Sequence, residues 1–401
     1  MKLLRIEFER LPIFRNGHFC IDFLATDRVM KLATDRVMKD DELYCVDRNV
    51  YTEKLLAFVG MNATGKTTVL RLLNFACQVV IANRDLNSLG MDQEDIIQDG
   101  TLMQIVFFHN GKYYQLKSEI GIRDKKGVID GTQEYYFKEE SLVSKPKSAV
   151  TSKRNVFVFD DTGRNVERLI RSQLNSETKL ALKDDASMVI LVTRENDSAV
   201  ANLLATNYLN YSPMMGKTPV EVLNVFDDNI EYLTTVKNKQ DTVPHWRLKF
   251  KNQDKVYDID FGVRLNQLVS AGTIKGHALL GNAIAMLHYG GYLFVDELEN
   301  HFNKELVHMI LNLFASAETN PHGACLVFST HYAEILDFIH RKDNVYINRK
   351  ENGLLSVSKF ADEVHRIEVK KSEIIISNCL TGTAPQYENM QALREAICKV
   401  I

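Results

Sequence analysis

The chain has 401 residues of which 45% are apolar, enough for one large α/β domain or two ordinary ones and too many for a disordered polymer. Its 49 basic and 52 acidic residues give a formal net charge of −3, which supports neither a nucleic-acid groove nor an anionic membrane surface as a partner. No run of about 18 apolar residues occurs, and the first residues alternate with charges instead of forming a signal segment, so a soluble cytoplasmic protein without a membrane span is expected.

The opening segments KLLRIEFER and HFCIDFL alternate apolar and polar positions, which predicts antiparallel strands leading into an apolar core strand, LLAFV at 55–59. Between them LATDRVMK at 24–31 is repeated perfectly at 32–39. So short a unit cannot build a solenoid, and it reads as a local tandem duplication that lengthens a surface connection. It carries no chemistry.

Directly after the core strand comes GMNATGKT at 60–67, matching GxxxxGK[ST]. Gly60 and Gly65 let the backbone turn tightly enough for successive N–H groups to converge on one small anion. Lys66 adds a full positive charge. The following segment, TVLRLLNFACQVVIA, places Val69, Leu70, Leu72, Leu73, Ala76, Val79 and Val80 on one side of a helix, whose positive end is thereby anchored while it points at phosphate. The candidate binding set is Gly60, Asn62, Ala63, Thr64, Gly65, Lys66, Thr67 and Thr68, with the Thr67 hydroxyl placed for Mg²⁺.

Beyond that helix, TLMQIVFFHNGKYYQLKSEIGI predicts a hairpin around Asn110 and Gly111, the dipeptide that accepts positive φ in a tight turn. From 141 to 240 the texture changes to polar turns and helical patterns, NVERLIRSQLNSETKLAL and TPVEVLNVFDDNIEYLTTV, with a strand SMVILVT between them. This predicts an inserted, mainly helical subdomain without a long coiled coil. The chain then passes through strands WRLKFKN and VYDIDF to the remaining motifs.

LVSAGTIKGHALLGNAIAML follows, with Ser270, Ala271, Gly272 and Thr273 ahead of an apolar-faced helix. These small residues fit an anion site at a helix N-terminus, or equally an ordinary N-cap at Ser270 or Thr273. Next, GYLFVDELENHF delivers Asp296 and Glu297 to the end of a buried strand. Paired acids there suit hydrolysis: Asp296 holding a hydrated Mg²⁺ between β and γ phosphates, Glu297 orienting and deprotonating water, although a strand can also simply end in solvated acids. ACLVFST at 324–330 ends at His331, either a packing or surface histidine or a sensor hydrogen-bonded to the γ-phosphate. The tail offers a strand VYINRK, a turn at 351–353 and a terminal helix ENMQALREAICKV. Cys20, Cys45, Cys77, Cys325, Cys379 and Cys398 are scattered without a CxxC pair, which predicts buried small hydrophobes of a reducing compartment and not a zinc site or disulfide framework.

Together, GMNATGKT, SAGT before a helix, LFVDELEN and FSTH resemble, in order, the parts of the ABC-type ATPase head, in the AAA-family branch related to OLD-family and SMC-like ATPases. Asn62 brings the loop closer to these than to GTPases or small-molecule kinases. SAGT differs from the transporter signature LSGGQ and is similar to the shorter S-x-G-T form of this branch. LPIFRNGHFCIDF and RIEVKKSEIIISNCLTGTAP resemble the beginning and the C-terminal segment of such heads, so that only 141–240 matches no motif.

The resemblance implies an α/β fold, an ABC-type P-loop head with an antiparallel β lobe: an N-terminal ATPase lobe with the P-loop at 1–140, the inserted mainly helical subdomain at 141–240, and a C-terminal ATPase lobe with SAGT, the acid pair and His331 at 241–401. It implies ATP and Mg²⁺ as cofactors, with Lys66 and Thr67 on phosphate and metal, Asp296 on the metal, Glu297 as base and His331 as switch. Ser270 and Gly272 would contact the γ-phosphate from a second subunit, in a homodimer or larger homo-oligomer with ATP at the interface. A Q-loop glutamine is expected, and Gln104 and Gln115 are the candidates. OLD-family nucleases add a Toprim domain, whereas the stretch after His331 is short and lacks an acidic metal cluster, so no DNA cleavage by this chain alone is expected. Heads of this kind accompany a separate nuclease or toxin in anti-phage defence, which makes an ATP-gated controller of an effector the leading reading. A scaffold with a mainly structural nucleotide and a DNA-repair head are the alternatives.

Overall fold

The computed structural model describes residues 1–27, 41–89, 95–125, 133–159, 166–193, 198–204, 218–236, 245–259, 265–365, 370–377, 379–380, 382–383 and 387–400. The second copy of LATDRVMK and the last four residues of the first lie outside them. Leu24 and Ala25, at the start of the first copy, are buried, and the backbone N–H groups of Thr26 and Asp27 both donate to Asp343 Oδ2 at 2.7 Å.

In chain order the first elements are β1 (Lys2–Glu9), β2 (His18–Asp22), β3 (Leu43–Asp47), β4 (Val50–Glu53), β5 (Leu55–Val59) and α1 (Lys66–Val80). The β lobe continues with β6 (Thr101–His109), β7 (Lys112–Asp124), β8 (Gln133–Pro146) and β9 (Glu167–Ile170). Then come α2 (Ser176–Ala181), α3 (Ile190–Thr193), β10 (Val200–Leu203), α4 (Val220–Phe226), β11 (Ile230–Val236), β12 (His245–Phe250) and β13 (Val256–Ile259). The last stretch holds α5 (Leu265–Leu268), α6 (Ala271–Tyr289), β14 (Tyr292–Val295), α7 (Lys304–Ala315), β15 (Cys325–Thr330), β16 (Val345–Glu351), β17 (Leu354–Lys359), α8 (Phe360–Glu363), α9 (Lys371–Ile376) and α10 (Tyr387–Val400).

Two six-stranded sheets organise these elements. The central one has the order β10-β14-β15-β5-β16-β17, parallel except for β17. Its inner strands β14, β15 and β5 are buried along their whole length because both faces are covered. Leu56 and Phe58 of β5 point toward α1 and the second sheet, whereas Leu55, Ala57 and Val59 point toward α6 and α7. The second sheet is antiparallel, ordered β2-β1-β6-β7-β8-β9. Its β6–β7 hairpin turns through Asn110 and Gly111 at φ 44° and 75°, the left-handed pair that an Asn-Gly turn demands.

The reading of 141–240 as mainly helical needs correction. Glu167–Ile170, taken for helix, pairs with the free edge of β8, Ser141 opposite Ile170. SMVILVT, taken for strand, ends in the helical turn α3. Its path is set by the buried Glu140 carboxylate, which accepts from Ser187 Oγ at 2.8 Å, Met188 N at 2.8 Å and Arg171 at 2.6 Å. The second helical pattern stops after Phe226. An Asx turn, Asn229 N to Asp227 Oδ1 at 3.0 Å, breaks it, and the β-branched run to Val236 becomes β11. WRLKFKN and VYDIDF form strands as expected, β12 and β13, which with β11 make a small antiparallel sheet of their own, while β10 forms an edge of the central sheet. Tertiary pairing overrode local propensity at each of these places.

The cysteine expectation holds for buried Cys77 and Cys325, while Cys45, Cys379 and Cys398 are exposed. No helix among the described residues is long and apolar enough to cross a membrane.

Candidate functional site

Strands β14, β15 and β5 are parallel neighbours, so the residues that follow them emerge at one edge of the sheet. This brings together Asp296 and Glu297, then His331, then the loop 60–67. The edge opens into a cavity of about 560 Å³ lined by Asn62, Ala63, Thr64, Gly65, Lys66, Thr67, Thr68, Asp296, Glu297 and His331. Gly60 does not line it but makes the turn possible: a Cβ there would lie 2.4 Å from the Asn348 carbonyl oxygen. Gly65 has φ 83°, and its Cβ would meet Leu355 at 2.5 Å.

Every apolar position named for α1 is buried, which fixes the helix and its N-terminus. Lys66 Nζ donates to the Gly60 and Met61 carbonyls at 2.8 and 2.9 Å and lies 3.2 Å from His331 Nδ1. Burial lowers the Lys66 pKa, opposed by the charges of Asp296, Glu299 and Glu297. With Nδ1 accepting from the ammonium, the tautomer that satisfies both ends carries its proton on Nε2, 3.2 Å from Glu297 Oε1. The ring is thus held between loop and acid.

Thr67 Oγ1 donates to Asp296 Oδ2 at 2.6 Å. On the other side of that carboxylate the Ser329 hydroxyl donates to Oδ1, and the same hydroxyl accepts from the Glu297 backbone N–H at 2.8 Å. Glu299 accepts the His331 backbone N–H at 2.7 Å. Lys275, on the first turns of α6, donates to the Glu297 carbonyl at 2.8 Å. Burial pulls the Lys275 pKa down to about 8, with Glu299, Glu297 and Asp296 pulling it back up.

Ser270 is the exposed N-cap of α6, its Oγ accepting from Thr273 N at 3.0 Å. Neither it nor Gly272 lines the cavity of its own chain. Gln104 and Gln115 do not line it either; Gln104 donates to Glu7 on the β lobe at 2.9 Å. Sequence reasoning missed the opposite wall, made by Ile13, Lys350, Gly353 and Leu355. The β16–β17 hairpin carries three of these, and Leu355 N donates to Ile13 O at 2.8 Å, tying it to the N-terminal segment. The turn at Asn352 and Gly353 was legible; its proximity to the loop was not.

The donor set fits a nucleoside triphosphate with a hard divalent cation: a backbone cradle, an ammonium, and a hydroxyl and carboxylate already within hydrogen-bond reach of each other. The family profile described as "AAA domain, putative AbiEii toxin, Type IV TA system" matches residues 55–337, more than half of the chain. The chain belongs to this family. Among curated proteins none matches the sequence. The match begins with β5 and ends beyond His331, so the AAA domain contains the loop, the acid pair and the histidine, while Ile13 and the β16–β17 hairpin that complete the cavity fall outside it.

Proposed function

We propose that this AAA domain binds and hydrolyses ATP, and that nucleotide-dependent pairing of two copies controls a partner effector. The observation that carries the reading is the convergence of Thr67, Asp296, Glu297 and His331 from separate elements on one cavity. Lys66 and the amides of the loop hold the phosphates, and Thr67 and Asp296 hold Mg²⁺, which when bound neutralises developing phosphate charge. Glu297 orients the attacking water and accepts its proton. His331, oriented through Lys66 and Glu297, senses the terminal phosphate. Ser270 and Gly272, which do not line their own cavity, serve the cavity of the second copy.

The family description links such domains to a toxin of a type IV toxin–antitoxin system, which supports an effector partner and a role in defence. ATP turnover and particle mass, measured with and without a non-hydrolysable ATP analogue, test the reading. Glu297→Gln is expected to retain nucleotide, to accumulate as a dimer, and to lose turnover by about tenfold or more. Wild-type turnover in that variant would remove Glu297 as base, and an unchanged monomer mass in ATP would remove the paired site.

A further inference from the structure

The N-terminal turns of α6 and the segment following β14 are packed as one unit. Gly272 approaches so closely that a Cβ would stand 2.8 Å from the His301 carbonyl oxygen. Gly276 meets the Phe226 ring, which in turn packs on Phe302 at 5.8 Å between centroids. Lys275 lies between these contacts, its Nζ 2.8 Å from the Glu297 carbonyl and 5.4 Å from the centroid of Phe302. The segment it grips is strained: Glu297 and His301 have φ of 48° and 70°, a conformation unfavourable for a residue with a side chain that persists only where its surroundings impose it. Lys275 is buried, so its ammonium is desolvated and donates to the Glu297 carbonyl.

We infer that Lys275 is a positioning residue that ties the Ser270–Gly272 end of α6 to the backbone of Glu297, so that contact at one cavity sets the catalytic acid of the other. The proposal rests on the ATPase reading above. Its physical content is that α6 cannot shift at its N-terminus without carrying the Glu297 peptide along, because Gly272 against His301 and Lys275 against Glu297 leave no slack between them. Ser270 is exposed at the free end of this lever. Glu297, at the other end, faces the cavity of its own subunit.

Lys275→Met, Lys275→Arg, Glu297→Gln and the double variant Lys275→Met/Glu297→Gln test this. Lys275→Met should lower kcat by about tenfold with KM for ATP changed less than about twofold, and Lys275→Arg, which restores an N–H donor, should recover most of the loss. Because Lys275 acts through Glu297, the double variant should turn over no more slowly than Glu297→Gln alone. In the nucleotide-free protein, hydrogen exchange in the 297–302 segment should accelerate in Lys275→Met while that of α1 does not. Additive losses in the double variant, or near-normal kcat in Lys275→Met beside an active wild type, overturn this inference alone. If Lys275→Met does not fold, failure of Lys275→Arg to exceed Lys275→Gln in kcat overturns it as well. An inactive wild type overturns the ATPase reading and this inference with it.

Discussion

Ser329 stands one residue before the end of β15 and serves two acids at once, donating to Asp296 Oδ1 and accepting from the Glu297 N–H. It is fully buried. Ser329→Ala removes one of the two hydroxyls that hold the Asp296 carboxylate among the described residues, and loss of such a supporting partner behind a metal ligand typically costs about 10–100-fold in metal affinity or activity. Turnover measured over a Mg²⁺ titration should therefore show a rise in the Mg²⁺ requirement as well as a lower maximum. An unaltered Mg²⁺ dependence would show that Ser329 does not orient Asp296. The contrast with its neighbours explains what the sequence made legible at this scale. Glycines in a fixed spacing with a lysine, and two acids ending an apolar strand, are improbable without a purpose. A serine inside a strand or a lysine on a helix is ordinary, and only the pairing of β14 with β15, Val295 beside Phe328, brings Ser329 under Asp296. Lys275 and Glu299 were invisible for the same reason.

Among the elements, those whose pattern is set by two covered faces or by a turn dipeptide were readable: β5, α1, the β6–β7 hairpin, β14 and β15. Those whose conformation is set by a distant partner were not, and Glu140 is the clearest instance. Desolvation raises its pKa while Met188 N, Ser187, Arg171 and Ser118 stabilise the carboxylate, so the pair with Arg171 is a buried ion pair, 0% and 13% exposed at the side chains. Glu140→Ala removes an acceptor from the backbone of Met188 and leaves the guanidinium without its carboxylate, a class of change that costs about 3–5 kcal/mol. A clearly lowered melting temperature is expected, with ATP binding retained at low temperature because none of Glu140, Arg171, Ser187 and Met188 lines the cavity. Glu140→Leu with Arg171→Met should recover much of the loss, since both charges are then gone. A melting curve of Glu140→Ala that matches the wild type would mean that the 171–189 segment is held by its apolar contacts alone.

At the scale of the whole molecule the question is whether one chain contains a complete site. The loop, acids and histidine converge within it, yet the Ser270–Gly272 end of α6 does not line that cavity. A two-fold pair would supply it reciprocally, each copy lending α6 to the other. Complementation decides this better than mass alone. Ser270→Asp keeps a side-chain acceptor at the N-cap, so α6 stays capped, but it sets a negative charge toward any phosphate met there. Lys66→Ala disables the cavity and leaves Ser270 intact. Each variant alone is expected to be nearly inactive. Mixed in equal amounts, half of the pairs combine the two, and each such pair keeps one sound cavity facing one sound α6. Recovery to roughly a quarter of wild-type turnover is therefore expected from a closed two-fold pair. No recovery, with both variants folded and Ser270→Asp still binding ATP, would mean that Ser270 acts within its own chain and that the paired-site reading fails. Full activity of Ser270→Asp alone would mean that no phosphate comes near α6 at all.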